Sequence, residues 1–202
     1  MPATLISEGP RADSRAARIV AGGGLIVYPT DTVYGLGCDP RNPAAVERLF
    51  LAKGRGAKAV PVLCAGMAQA EEYVRLSPRA LELARRYWPG ALTIVAPLAK
   101  PVPERLHQGT EKLGVRVPGS TGCVRLIKKC GGALVGTSAN ISGMPASRTA
   151  EEAMRHLGPS VDLIIDGGRL GGIESTVVEV TDDDIIILRK GSIGVYDGEK
   201  RR

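Results

Sequence analysis

Lys53, Arg55 and Lys58 fall within six residues, interleaved with Gly54 and Gly56, and the apolar run V-P-V-L that follows ends at Cys64. Three cations on a glycine-loosened backbone can neutralise phosphate charge. The plain alternative is a solvated basic turn between a helix and a strand. Lys53 and Arg55 are spaced i, i+2, which on a continuing helix points them apart. A shared target therefore requires the helix to stop near Lys53, and the two glycines permit that. The stretch is not a Walker loop, because Lys58 is followed by Ala59 where a Mg²⁺-binding hydroxyl is required. Nor is there a Rossmann fingerprint: Gly22, Gly23 and Gly24 precede the first apolar strand instead of following it.

Other polar clusters stand at strand ends. P-T-D-T-V-Y-G-L-G, from Pro29 to Gly37, offers hydroxyls and a flexible backbone, or equally an Asx or Ser/Thr turn. G-T-S-A-N, from Gly136 to Asn140, has small residues that admit a ligand, and Ser138 and Asn140 can donate to phosphate or carboxylate oxygens. A helix N-cap turn is its alternative. The forks of Arg116 and Arg189 suit a carboxylate or phosphate, with a surface salt bridge as the commoner fate. The glycines after Asp166 are followed by no helix and read as a surface turn, and Asp182, Asp183 and Asp184 as a solvated hairpin turn. His107 and His156 have no partner pattern, and neither a Ser–His–Asp arrangement nor a metal-ligand spacing can be argued. An inventory rich in anion-binding groups and poor in general acids and bases fits nucleotidyl transfer, where catalysis is mostly positioning and charge neutralisation.

The elements that must carry these groups are short. Helices are expected over 11–21, from the Asn42-Pro43 start to about Lys53, from Ser77-Pro78 to about Tyr87, over 124–129, and after the capping box T-A-E-E at Thr149. Strands are expected over 25–28, 60–63, 91–96, 113–117, 133–135, 161–165, 176–180 and 185–188. Over 113–117, Leu113, Val115 and Val117 face one way, and Gly114 and Arg116 the other. Alternating helices and strands predict an α/β domain with an open, twisted mixed sheet and flanking helices. The 202 residues read as a single domain with a core of about 11–196 and a frayed tail.

Composition narrows the partners. A net charge of +6 favours anions such as nucleotides or RNA, while an aromatic share of 3% argues against base stacking. The four cysteines form no C-x-x-C pair and are expected as buried free thiols. The N-terminus lacks a basic segment leading into an apolar core, and no apolar run is long enough for a bilayer, so no membrane partner and a cytoplasmic location are expected.

The clusters P-T-D-T-V-Y-G-L-G, K-G-R, W-P-G-A-L-T, V-R-V-P, T-S-A-N-I-S-G, D-G-G, E-S-T-V and L-R-K-G, in that order, resemble the YrdC-like family of threonylcarbamoyl-AMP synthases. The resemblance runs from about Gly22 to Gly194. It implies a fold around a large basic cavity. It implies an ATP-dependent nucleotidyltransferase that condenses L-threonine, bicarbonate and ATP to threonylcarbamoyl-AMP and pyrophosphate, the product being used by tRNA-modification enzymes. Carried over, Thr32, Arg116, Gly136 and Ser175 would hold threonine, with Arg116 on its carboxylate. Lys53, Arg55, Ser138, Asn140 and Arg189 would contact ATP, with Lys53 and Arg55 as the catalytic K-x-R pair and Mg²⁺ arriving on the phosphates. No dedicated protein metal site is implied.

The chain departs from the family pattern at Ala59, where many members carry Asn, at Cys64, where they carry His, and at Lys112, where they carry Thr or Ser. Cys64 falls at the threonine site and cannot reproduce a histidine's two ring nitrogens. Ala59 and Lys112 fall on the ATP side, where Lys112 adds a charge. A segment one residue longer than the common pattern brings Ala146 or Ser147 to the nucleotide, and Ser147 is carried as the ATP contact. The chain ends soon after L-R-K-G, so the second domain of longer members is not expected. Two other readings stand beside the synthase: an RNA-binding or ribosome-associated module using the same cavity, and a relative that forms carbamoyl-adenylate without threonine.

Overall fold

The computed structural model describes residues 3–54, 56, 58–181 and 184–195. Helix starts follow local chemistry. Helix α1 (Pro10–Ala21) opens on proline and buries Ala12, Ala16 and Val20, one face at i, i+4, i+8. It follows strand β1 (Thr4–Ser7) and precedes β2 (Ile26–Tyr28) and β3 (Gly35–Gly37). Helix α2 (Pro43–Lys53) has Asn42 as N-cap, its side chain accepting from the Ala45 N–H, and stops because Gly54 adopts φ 56°, ψ 34°, a left-handed cap that suits glycine.

Next come β4 (Val62–Cys64), α3 (Met67–Glu71), α4 (Pro78–Tyr87), β5 (Leu92–Pro97), α5 (Glu104–His107) and β6 (Lys112–Arg116). Helix α6 (Thr121–Lys129) begins earlier than the expected residue 124, because Ser120 caps it by accepting from the Cys123 N–H at 3.2 Å. Strands β7 (Ala133–Val135) and β8 (Thr137–Ser138) precede helix α7 (Ala150–Leu157), a 3-10 turn (Gly158–Ser160), and strands β9 (Leu163–Asp166), β10 (Thr176–Val180) and β11 (Ile185–Arg189). At α7 the Thr149 hydroxyl accepts from the Glu152 N–H, but the Glu152 carboxylate accepts from the Arg148 N–H at 2.7 Å, one residue before the cap. Of the expected aspartate turn, Asp182 and Asp183 lie outside the described residues.

The strands form two mixed sheets where one was expected. The first has the order β1-β9-β2-β3-β8 and the second β11-β10-β5-β6-β4-β7. The chain passes between them at Gly136, since β7 pairs with β4 and β8 pairs with β3. The expected strand over 133–135 thus serves one sheet, and the cluster that follows it adds a strand to the other. The G-T-S-A-N segment is accordingly extended, and the helix-cap alternative does not hold.

The main core joins Val27 and Leu36 of the first sheet to Val62 and Val115 of the second. Helices α1 and α6 pack on Ile26, Tyr28 and Leu163, and α4 on Leu92, Ile94 and Val178. Strand alternation then decides what faces the other way: Thr93 and Val95 on β5, and Gly114 and Arg116 on β6. Among the described residues no helix is long and apolar enough to cross a membrane.

Candidate active site

Those outward residues line a cavity of about 270 Å³. Its floor is open at β6 because residue 114 is glycine: a Cβ there would lie 3.2 Å from both Pro61 Cβ and Thr93 Cγ2. The first sheet contributes Thr30, Thr32 and Gly35, and the crossing segment contributes Gly136 and Ser138. Gly136 has no room for a side chain, since a Cβ would overlap Leu63, with both of its δ-carbons at 2.9 Å.

At one end stands Arg116, only 4% exposed. Its Nε donates to the Gly90 carbonyl at 2.8 Å, its Nη1 to Thr32 Oγ1 at 3.2 Å and its Nη2 to Asp31 Oδ1 at 2.5 Å. This is a partly buried ion pair and not the fully exposed surface bridge that a lone arginine would suggest. Burying the charge requires such an anion and good hydrogen bonds. The P-T-D-T stretch supplies both through a Ser/Thr turn. Thr30 Oγ1 accepts from the Thr32 N–H at 3.0 Å and donates to the Val33 carbonyl at 2.6 Å. The turn and the polar notch, posed as alternatives by the sequence, are one object.

At the other end Ser175 and Arg189 come together. Arg189 donates to the Ser175 carbonyl (3.1 Å) and to its hydroxyl (3.2 Å), and pairs with Glu174 Oε2 at 3.0 Å. Ser175 Oγ also lies 2.9 Å from Thr93 Oγ1. Among the described residues the charged groups lining the cavity are Arg116, Arg189 and Glu174. Each arginine faces a carboxylate, which is a more balanced field than the large basic cavity expected.

Lys53 is 1% exposed and does not line the cavity. Its ammonium donates to the Ser138 carbonyl, to the Asn140 carbonyl at 2.8 Å and to Asn140 Oδ1 at 3.2 Å. The Asn140 amide in turn donates to the Met144 carbonyl at 2.5 Å. The end of α2 therefore anchors the segment after β8, and Lys53 of K-G-R meets the S-x-N motif behind the cavity wall. Arg55 lies outside the described residues.

The structure moves other expected contacts away. Ala59 lines the cavity, but Cys64 does not. Cys64 shares the inward face of β4 with Val62, is fully buried in the main core, and its neighbour Leu63 takes the cavity face. Burial pushes the Cys64 thiol up to about 12. Ser147 is fully buried, its hydroxyl donating to the Ala139 carbonyl and lying 3.2 Å from His156 Nδ1. It braces the wall from behind. Lys112 pairs with Glu179 across β5 and lines a second cavity of about 380 Å³, which shares Val95 with the first.

Among the lining residues not singled out from sequence are Thr30, Thr93 and Glu174. Thr93 was findable, because it alternates with Leu92 and Ile94 in an apolar strand. Glu174 stood in E-S-T without a role. All four cysteines are free and buried, the state expected of inert thiols. Among the described residues no group of three or more His, Cys, Asp or Glu could hold a metal ion.

The Sua5/YciO/YrdC family model, described as "Telomere recombination", matches residues 18–191. A threonylcarbamoyl-AMP synthase of Pyrococcus abyssi is 36% identical over 203 residues, which cover 97% of this chain and 60% of that protein. The chain thus spans less than two thirds of that relative's length. The solved structure of P. abyssi Sua5 complexed with L-threonine superposes with a TM-score of 0.89 at 34% identity, over 93% of this chain and 57% of that one. Escherichia coli YciO gives 0.85 at 30% identity, over 94% of this chain and 96% of that one.

Proposed function

The chain belongs to the Sua5/YciO/YrdC family, and on that footing we propose that it condenses L-threonine, bicarbonate and ATP to threonylcarbamoyl-AMP and pyrophosphate. The observation that carries the reading is that Thr32, Arg116, Gly136, Ser138, Ser175 and Arg189, drawn from both sheets and from distant parts of the chain, line one cavity. A relative named for this activity and a neighbour solved with L-threonine support it.

In this reading the Arg116 fork takes the threonine carboxylate, and the Thr32 hydroxyl and the bare backbone at Gly136 shape the pocket beside it. Ser175, tied to Arg189, closes the other side. The threonine amine captures CO₂ with loss of a proton, or bicarbonate with loss of water, to give a carbamate. A carbamate oxygen attacks the α-phosphorus in line, forming the new P–O bond as the bond to pyrophosphate breaks. Arg189 and Arg55 neutralise the phosphate charge. Lys53 acts from behind the wall by holding the Ser138 and Asn140 backbone, so that Ser138 meets the nucleotide in a fixed place. The described donor set is too poor in carboxylates to cage a divalent cation, so Mg²⁺ would be held by the triphosphate and would supply further charge neutralisation there. The product is a mixed anhydride, suited to an acceptor enzyme that passes the threonylcarbamoyl group to tRNA in the cytoplasm.

The test is pyrophosphate release from ATP with bicarbonate, with and without L-threonine. The reading expects release that depends on threonine. Release without threonine, when a carbamoyl donor such as carbamoyl phosphate replaces bicarbonate, would replace it with carbamoyl-adenylate formation. No release, together with tight and strongly salt-dependent RNA binding, would replace it with an RNA-binding module.

A further inference from the structure

Arg116 is aimed by a residue outside the cavity wall. Asp31 lies between the two threonines of the P-T-D-T turn, and its carboxylate is not among the lining groups. Its Oδ1 accepts from Arg116 Nη2 at 2.5 Å, with the two side chains only 19% and 5% exposed. The placement is over-determined. Thr30 Oγ1 accepts from the Thr32 N–H on one side of Asp31. On the other side, a Cβ at Gly119 would lie 3.1 Å from Asp31 Oδ2, so the turn before α6 passes close over the carboxylate.

A guanidinium has five N–H donors: one on Nε and two on each terminal nitrogen. Gly90 takes the Nε donor, Thr32 takes one on Nη1 and Asp31 takes one on Nη2. One donor remains on each terminal nitrogen, which is the pair a bidentate carboxylate needs. Gly90 and Thr32 offer neutral acceptors, whereas Asp31 offers the anion that makes burial of the charge tolerable. Without it, the guanidinium gains by turning toward solvent, and the fork is lost.

We propose that Asp31 is the positioning residue of a carboxylate clamp: it orients Arg116 so that amino-acid binding depends on the substrate's carboxylate. This rests on the reading that Arg116 takes the threonine carboxylate.

The experiment is calorimetric binding of L-threonine and of L-threoninamide, which lacks the carboxylate, to the full chain and its variants. Wild type should prefer threonine by roughly tenfold or more, the worth of a hydrogen-bonded charge. Asp31→Ala should bring that ratio close to one while leaving ATP affinity unchanged, which a general loss of structure would not do. Asp31→Asn keeps the shape and loses the charge, and it carries the test if Asp31→Ala does not fold. Its ratio should fall by about threefold or more. A variant ratio equal to wild type, or a wild type indifferent to the carboxylate, overturns the proposal. A wild type that shows the preference and makes no threonylcarbamoyl-AMP sinks the synthase reading and leaves the clamp standing.

Discussion

The ammonium of Lys53 donates to the main-chain oxygen of Asn140 at 2.8 Å, although 87 positions separate the two residues. With its bonds to Ser138 and to the Asn140 side chain, this makes Lys53 an anchor between α2 and the segment that follows β8. A buried lysine held by three oxygens is a structural commitment as well as a charge.

Lys53→Ala should therefore lower stability by about 2–4 kcal/mol, because three buried acceptors lose their donor. Denaturant unfolding without substrates measures it. Lys53→Arg should rescue little, since a planar fork cannot replace a compact ammonium among converging oxygens. Unchanged stability in Lys53→Ala would mean that the lysine is not the anchor.

Arg116→Lys keeps the charge and removes the fork. The KM for threonine should rise by roughly tenfold or more while the KM for ATP stays within about threefold. Steady-state kinetics decide it, and equal rises in both constants would argue against a separate amino-acid subsite.

Gly136→Ala pushes a methyl group into Leu63 at the point where the chain changes sheets. Overpacking there should cost about 1–3 kcal/mol. The double variant with Leu63→Ala should recover part of that cost relative to Leu63→Ala alone. A double-mutant cycle in thermal unfolding checks it, and strict additivity would contradict the contact.

Burial raises the thiols of Cys38, Cys64 and Cys130 from 9.0 to about 12. Between those values the unfolded chain releases protons that the folded chain retains. The contribution of each such thiol to stability is full below about pH 9 and is lost as pH rises toward 12. Urea unfolding across that window should fall more steeply for wild type than for Cys64→Ala. Parallel curves would mean that Cys64 is not held as a buried neutral thiol.

Much of this site was legible because its local chemistry is strong. Asn42-Pro43 and Ser77-Pro78 are real helix starts, and the K-G pair ends α2 as its glycine predicts. Strand β3, Gly-Leu-Gly, was not legible: its residues have little strand preference, and it exists because β2 and β8 pair with it. The exchange between sheets at Gly136 is likewise a tertiary event, and nothing local marked the cluster after 133–135 as a strand of the other sheet. Cys64 shows how one residue of register matters. The family pattern put it at the threonine site, but β4 extends to residue 64, and a period of two sets Cys64 beside Val62 in the core and Leu63 on the cavity. Arg116 was assigned correctly to its strand face, yet its partner Asp31 could not be read from sequence, because a separation of 85 positions carries no local signal of the pairing.

The most direct measurement is mass spectrometry of the adenylate formed from ATP, L-threonine and ¹³C-bicarbonate. Threonylcarbamoyl-AMP synthesis predicts an AMP adduct that contains threonine and carries the label in its carbamoyl carbon, and that disappears when threonine or bicarbonate is left out. An adenylate that lacks threonine, an unlabelled adduct, or no adduct at all from folded protein would contradict it.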